Sequence, residues 1–186
     1  MELATGVFNK AMIKYEDDQD GYTSSTLILS SCITISLFII YLIGRKWWNY
    51  LLKLSTIMMV MMFLEIFFTE AMSFWTIRQR FDYNYRSVIF LTLFANISGT
   101  LLSLFFVINN DTNKAEYRIF GTLIVHVILY GVVGFLILKR GRRIYVREYW
   151  RYALWYNAPL IPHYLSQMLL NQSDKIMIGR ICGNEY

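Results

Sequence analysis

Two carboxylates, Glu65 and Glu70, stand near the middle of an otherwise apolar stretch, residues 54–76. At the centre of a bilayer an ionised side chain costs about 2.5–3.5 kcal/mol, so a carboxyl there must protonate, pair or face water. The chemistry open to such groups is the uptake and release of a proton or a cation. On a helix, Glu65 shares a stripe with Thr69, Met72 and Thr76, whereas Glu70 lies about 140° further round. The plainer alternative for either is a buried Glu hydrogen-bonded to a neighbouring helix. A second set of polar groups punctuates the last apolar stretch: Asn157, Pro159, Pro162, His163 and Asp174. An interior Pro costs a helix about 3 kcal/mol in water. In a membrane bundle the freed carbonyls find other donors, so Pro159 and Pro162 predict a hinge in a helix that faces an interior path. Asn157, His163 and Asp174 are then candidates to line that path with the two glutamates, although Asp174 could simply pair with Lys175. His126, alone in its stretch, reads as a satisfied core histidine. Arg142, Arg143, Arg147 and Arg151, interleaved with Tyr145, Tyr149 and Trp150, suit an anionic lipid headgroup or a pyrophosphate.

The sequence contains no phosphate-binding glycine loop, dinucleotide fingerprint, zinc-protease motif or nucleophile elbow. Cys32 and Cys182 have no metal-ligand spacing, and two histidines on separate segments build no dedicated metal site. No catalytic residue, metal or cofactor is expected, and the chain is read as something other than an enzyme.

The elements that must position these residues are long apolar runs. Of 186 residues 56% are hydrophobic and only 17% are charged, and the mean hydropathy is +0.38. Soluble domains carry about 25% charged residues. The predicted fold class is all-α, a polytopic transmembrane bundle forming one domain over 1–186. Its five spans are 27–43, 54–76, 88–108, 119–138 and 152–172, each near the length a bilayer requires. Residues 8–25 read as a polar loop, with Ser24 or Ser25 capping the first span, and 44–50 as a turn with an interfacial aromatic girdle. Residues 1–7 look like the end of a helix and show no signal-peptide pattern. Asn96, Ser98, Gly99, Gly131 and Gly134 predict close helix packing. The net charge of +5 lies between apolar blocks, as membrane topology demands, which argues against nucleic acid. Eleven Lys and Arg fall on the side of the 139–151 loop and seven on the other, which places that loop and 8–25 in the cytoplasm.

Several of these segments resemble a known family. Trp150-Arg151-Tyr152, Asn157-Ala158-Pro159-Leu160-Ile161-Pro162-His163, Ser173-Asp174-Lys175-Ile176-Met177-Ile178-Gly179 and Gly183, together with segments 8–25 and 74–86, resemble bacterial polysaccharide flippases. These are the O-antigen and capsule exporters of the Wzx type, in the multidrug/oligosaccharidyl-lipid/polysaccharide exporter superfamily. The resemblance implies a fragment, the third to seventh helices, of a two-halved transporter in the bacterial inner membrane. Its implied cargo is an undecaprenyl-pyrophosphate-linked oligosaccharide, moved by alternating access for O-antigen or capsule synthesis. Membrane lipids, a polysaccharide polymerase and a chain-length regulator are the implied partners. The alternatives are an integral-membrane enzyme of polysaccharide assembly (a polymerase or acyltransferase) and a non-functional truncated membrane remnant.

Overall fold

In hydrocarbon no water is at hand to satisfy the backbone, so an apolar run must close its hydrogen bonds within itself, as a helix does. A computed structural model describes the backbone of residues 2–52, 54–110 and 114–181, and the side chains of 8–52, 54–110 and 114–173. Its elements are α1 (Glu2–Lys14), a 3-10 turn (Glu16–Asp18), α2 (Gln19–Ile43), α3 (Arg45–Leu52), α4 (Thr56–Phe81), α5 (Tyr85–Asn109), α6 (Lys114–Gly141), α7 (Arg147–Asn157) and α8 (Leu160–Ile181). The fold is an all-α helical bundle, and among the described residues there is no strand.

Four stretches are long and apolar enough to cross a membrane: Glu16–Ile43, Thr56–Phe81, Tyr85–Asn109 and Lys114–Gly141. Their outer faces carry rows of bare hydrophobic side chains, among them Ile39 and Ile43 on α2 and Phe90, Leu101 and Ile108 on α5. So large an apolar surface is a liability in water and the natural coat of a helix facing lipid. This is a membrane-embedded protein.

The helix α6 is the hub, packed against α2, α4 and α5. Small residues let it approach. A Cβ on Gly121 would lie 2.5 Å from Ser103 Cα of α5, and Gly99 of α5 faces Thr122. Gly131 and Gly134 face Phe68 and Ala71 of α4. The reading of Gly99, Gly131 and Gly134 as packing residues therefore holds. Ser103 Oγ donates to Arg118 O at 2.7 Å across the α5–α6 crossing. Ser55 caps α4, accepting from the Met58 amide at 3.2 Å.

Three sequence expectations are corrected. Residues 8–25 form no loop: α1 and the first turns of α2 are helical, and Phe8, Ala11, Met12, Tyr22, Thr23, Ser24 and Ser25 are buried. The polar members are buried because they find partners. Ser24 Oγ donates to Arg143 O at 2.9 Å, and Trp150 Nε1 donates to Ser25 O at 3.1 Å. Ser24 and Ser25 thus tie α2 to the α6–α7 connection and cap nothing. Of residues 44–50 only Gly44 is a turn; 45–50 belong to the short helix α3. Residues 152–172 are not one bent helix: the chain breaks after Asn157 at Ala158–Pro159 and restarts as α8. Pro159 lies in the break itself. Pro162 is the third residue of α8, where an amide has no intrahelical partner to lose.

Candidate functional site

The helix α4 sets Glu65 and Glu70 at the tenth and fifteenth of its 26 residues, about 7.5 Å apart along the axis. On α2, Ser30 and Thr34 stand one turn apart and straddle the Glu70 carboxylate. Ser30 Oγ donates to Oε2 at 2.7 Å and Thr34 Oγ1 to Oε1 at 3.2 Å. A carboxylate at this depth is offset by hydroxyl donors on the facing helix. Glu65 takes a different partner. His126 Nδ1 of α6 meets its Oε1, and Thr69 Oγ1 donates to the same oxygen at 3.4 Å. An imidazole nitrogen and a carboxylate oxygen in hydrogen-bond contact hold a proton between them. The His126 ring is stacked on Tyr130, with centroids 4.5 Å apart, which fixes its plane. Glu65 Oε2 is buried without a partner.

A cavity of about 750 Å³ opens between α2, α4 and the α7–α8 break. Glu65, Glu70, Ser30, Thr69 and Asn157 form its polar wall. Asn157 is the last residue of α7. Its Nδ2 donates to Ala153 O at 2.8 Å, and its Oδ1 is buried and unpartnered. Of the five predicted path residues, then, Glu65, Glu70 and Asn157 line one cavity. His163 does not: α8 carries it outward to an exposed position beyond the break. The side chain of Asp174 lies outside the described residues. His126, read as a satisfied histidine, is satisfied by Glu65, a pairing the sequence reading did not foresee. The available signal was depth, because it lies mid-span on α6 at the level of Glu65 on α4.

Thirteen residues further along α4, about 20 Å from Glu65, the basic end of the bundle is laced by ion pairs. Asp20 Oδ1 accepts from Arg78 Nε at 2.8 Å, and its Oδ2 accepts from Arg140 Nε at 2.7 Å. Arg78 also reaches Asp82 at 2.5 Å, so α2, α4 and α6 share one network. A pocket of about 450 Å³ here is lined by Asp20, Arg78, Lys139, Arg140 and Arg142 among others. The four arginines read as one headgroup contact are engaged differently. Arg142 lines this pocket, Arg143 pairs with Asp18 at 3.0 Å, and Arg147 and Arg151 are exposed on α7. Arg78, Lys139 and Arg140 take the places left in the cluster, because the ends of α4 and α6 converge there.

Tyr149 OH donates to Asp18 Oδ2 at 2.8 Å, and Tyr15 OH donates to Glu148 Oε1 at 3.0 Å. Burial, followed by the bond to Asp18, pushes the Tyr149 phenol up from 10.0 to about 12. Burial and Glu148 likewise raise Tyr15. The folded state holds the Tyr149 proton more tightly than the unfolded chain. Its stabilisation is thus whole below pH 10 and is lost as pH rises through about 12. Alkaline titration followed by near-UV circular dichroism should show loss of structure starting above pH 10. Tyr149→Phe should weaken the fold at pH 7 and blunt that alkaline limb.

No family model matches this chain, and neither the curated proteins nor the solved structures contain a match.

Proposed function

We propose that the protein serves transport across a bacterial inner membrane, exporting a polyprenyl-pyrophosphate-linked oligosaccharide by alternating access. The observation that carries the transport reading is the meeting of Glu65, Glu70 and Asn157 on one mid-span cavity bordered by a helix break. Ionisable groups at this depth mark ion and substrate pathways, and broken helices at a cavity are a transporter device. In this reading the Glu65–His126 pair binds and releases the driving cation. The α7–α8 break at Pro159 lets one wall of the cavity move. The pocket of Arg78, Lys139, Arg140 and Arg142 at the basic end receives the pyrophosphate, because the mid-span cavity has no Lys or Arg in its lining. The cargo itself, and a handover to a polymerase and chain-length regulator, rest on the flippase resemblance of segments 8–25, 74–86 and 150–183.

The test is Glu65→Gln introduced into the bacterium's own gene, read as surface polysaccharide alongside the amount of protein in the membrane. The expected result is loss of surface polysaccharide with the protein still inserted. Unchanged polysaccharide at normal protein levels would remove the reading.

A further inference from the structure

We propose that the mid-span cavity is a binding site for a protonated lipophilic amine, with its ammonium held by Glu65 and Glu70. The first ground is charge. The cavity lining contains two carboxylates and no Lys or Arg. The groups facing these carboxylates are Ser30 and Thr34 from α2, Thr69 from α4 itself and His126 from α6, with Tyr130 behind the histidine. His126 is engaged with Glu65 Oε1, and no Lys or Arg of the lining stands opposite either carboxylate.

The second ground is independent of charge. Among the described residues, two buried side-chain atoms have no hydrogen-bond partner, Glu65 Oε2 and Asn157 Oδ1. Both belong to residues lining this cavity, and both are acceptors. Leaving a buried acceptor unmet is costly. A ligand that brings N–H donors satisfies them once the Glu65 carboxyl and the Asn157 amide turn toward the lumen, whereas an anion, or an amine with no N–H, does not.

The third ground is shape. Apart from Tyr22, Thr26 and Ser73 the remaining wall is apolar, with Phe8, Leu29, Ile33, Ile66 and Phe74 lining the cavity. Its volume of about 750 Å³ is that of a small-molecule pocket. A proton or a bare metal ion would leave the apolar wall unused, and an amine with an aromatic or aliphatic body fills it.

This inference shares its cavity with the proposed transport function but does not depend on what is exported. Its test is a binding measurement on purified protein, so its failure is distinguishable from a failure of export. Fluorescence anisotropy of 1-naphthylmethylammonium is titrated against the intact protein in detergent micelles. The neutral 1-naphthylmethanol and the trimethylated quaternary ammonium serve as comparison probes. Saturable binding of the primary ammonium is expected, with none of the alcohol and weaker binding of the quaternary ion. Glu65→Gln and Glu70→Gln should each weaken binding about tenfold, the loss of one charge-assisted hydrogen bond. Arg147→Gln, on the exposed face of α7, should leave it unchanged. Ile33→Trp, which fills the apolar wall without touching either carboxylate, should abolish binding while the protein still elutes as a single folded species. Equal uptake of alcohol and ammonium would overturn the proposal, as would unchanged binding in the glutamine or Trp variants. Equal binding of the quaternary ion would overturn the assignment of an N–H donor.

Discussion

Gly121→Leu is expected to separate α5 from α6 and leave no stable bundle. A Cβ at this position would stand 2.5 Å from Ser103 Cα and 2.7 Å from Ser103 N, both backbone atoms that cannot rotate away. The helices would have to part, which also breaks the 2.7 Å bond from Ser103 Oγ to Arg118 O. Overpacking of this kind costs about 1–3 kcal/mol where side chains can yield, and more where the backbone itself is the obstacle. Even Gly121→Ala should lower the melting temperature sharply. Gly99→Ala provides the contrast, since its Cβ would meet Thr122 Cγ2 at an ordinary 3.5 Å. Thermal unfolding of detergent-solubilised protein, read by size-exclusion fluorescence, should rank Gly121→Leu below Gly121→Ala and both below a near-neutral Gly99→Ala. Equal stability of the Gly121 and Gly99 variants would contradict the packing described.

The second large effect is expected at Asp20, whose two oxygens each accept from an arginine on a different helix. Asp20→Asn removes one of the two carboxylates that compensate Arg78, whose side chain is only 11% exposed, and leaves Asp82 as the other. Breaking a fully buried pair costs about 3–5 kcal/mol. With Asp20 itself 31% exposed, water screens part of that loss, and about 1–2 kcal/mol is the appropriate scale. The basic ends of α2, α4 and α6 should loosen together. Proteolysis at the basic end should accelerate in Asp20→Asn, and added salt should narrow its difference from the unsubstituted protein. Equal cleavage rates at low salt would show that the network is decorative.

How much of this was legible in the residues follows from what each signal reports. Apolar runs report the solvent, so the four long helices could be read directly, whereas the fifth span expected over 152–172 is interrupted between α7 and α8. Glu65 and Glu70 were legible because a carboxylate in hydrocarbon demands a reason wherever it points. Asn157 was legible through its prolines. The partner of Glu65 was not, because the pairing depends on α6 packing parallel to α4, which no local pattern encodes. Residues 8–25 misled for a related reason. Ser24 and Ser25 look like loop residues until Arg143 O and the Trp150 indole meet them from 119 and 125 positions away. His163 was drawn into the predicted path by its neighbour Pro162, whereas the break falls at Pro159 and turns α8 outward. Of the arginines at 142–151, only Arg142 lines the pocket at the basic end. The ends of separate helices bring Arg78 and Arg140 together instead.

The central claim is that Glu65 and Glu70 line one mid-span cavity that is reached from the aqueous phase, inside a bundle whose outer surface is lipid-facing. Single-cysteine labelling in membranes tests it most directly, in a background of Cys32→Ser and Cys182→Ser. Thr69→Cys faces the cavity, and Phe94→Cys lies at comparable depth on the exposed side of α5. A membrane-impermeant cationic methanethiosulfonate is predicted to modify Thr69→Cys, and to do so faster than its anionic counterpart, while Phe94→Cys stays unmodified by both. Protection of Thr69→Cys from both reagents, or equal labelling of the two positions, would contradict the account.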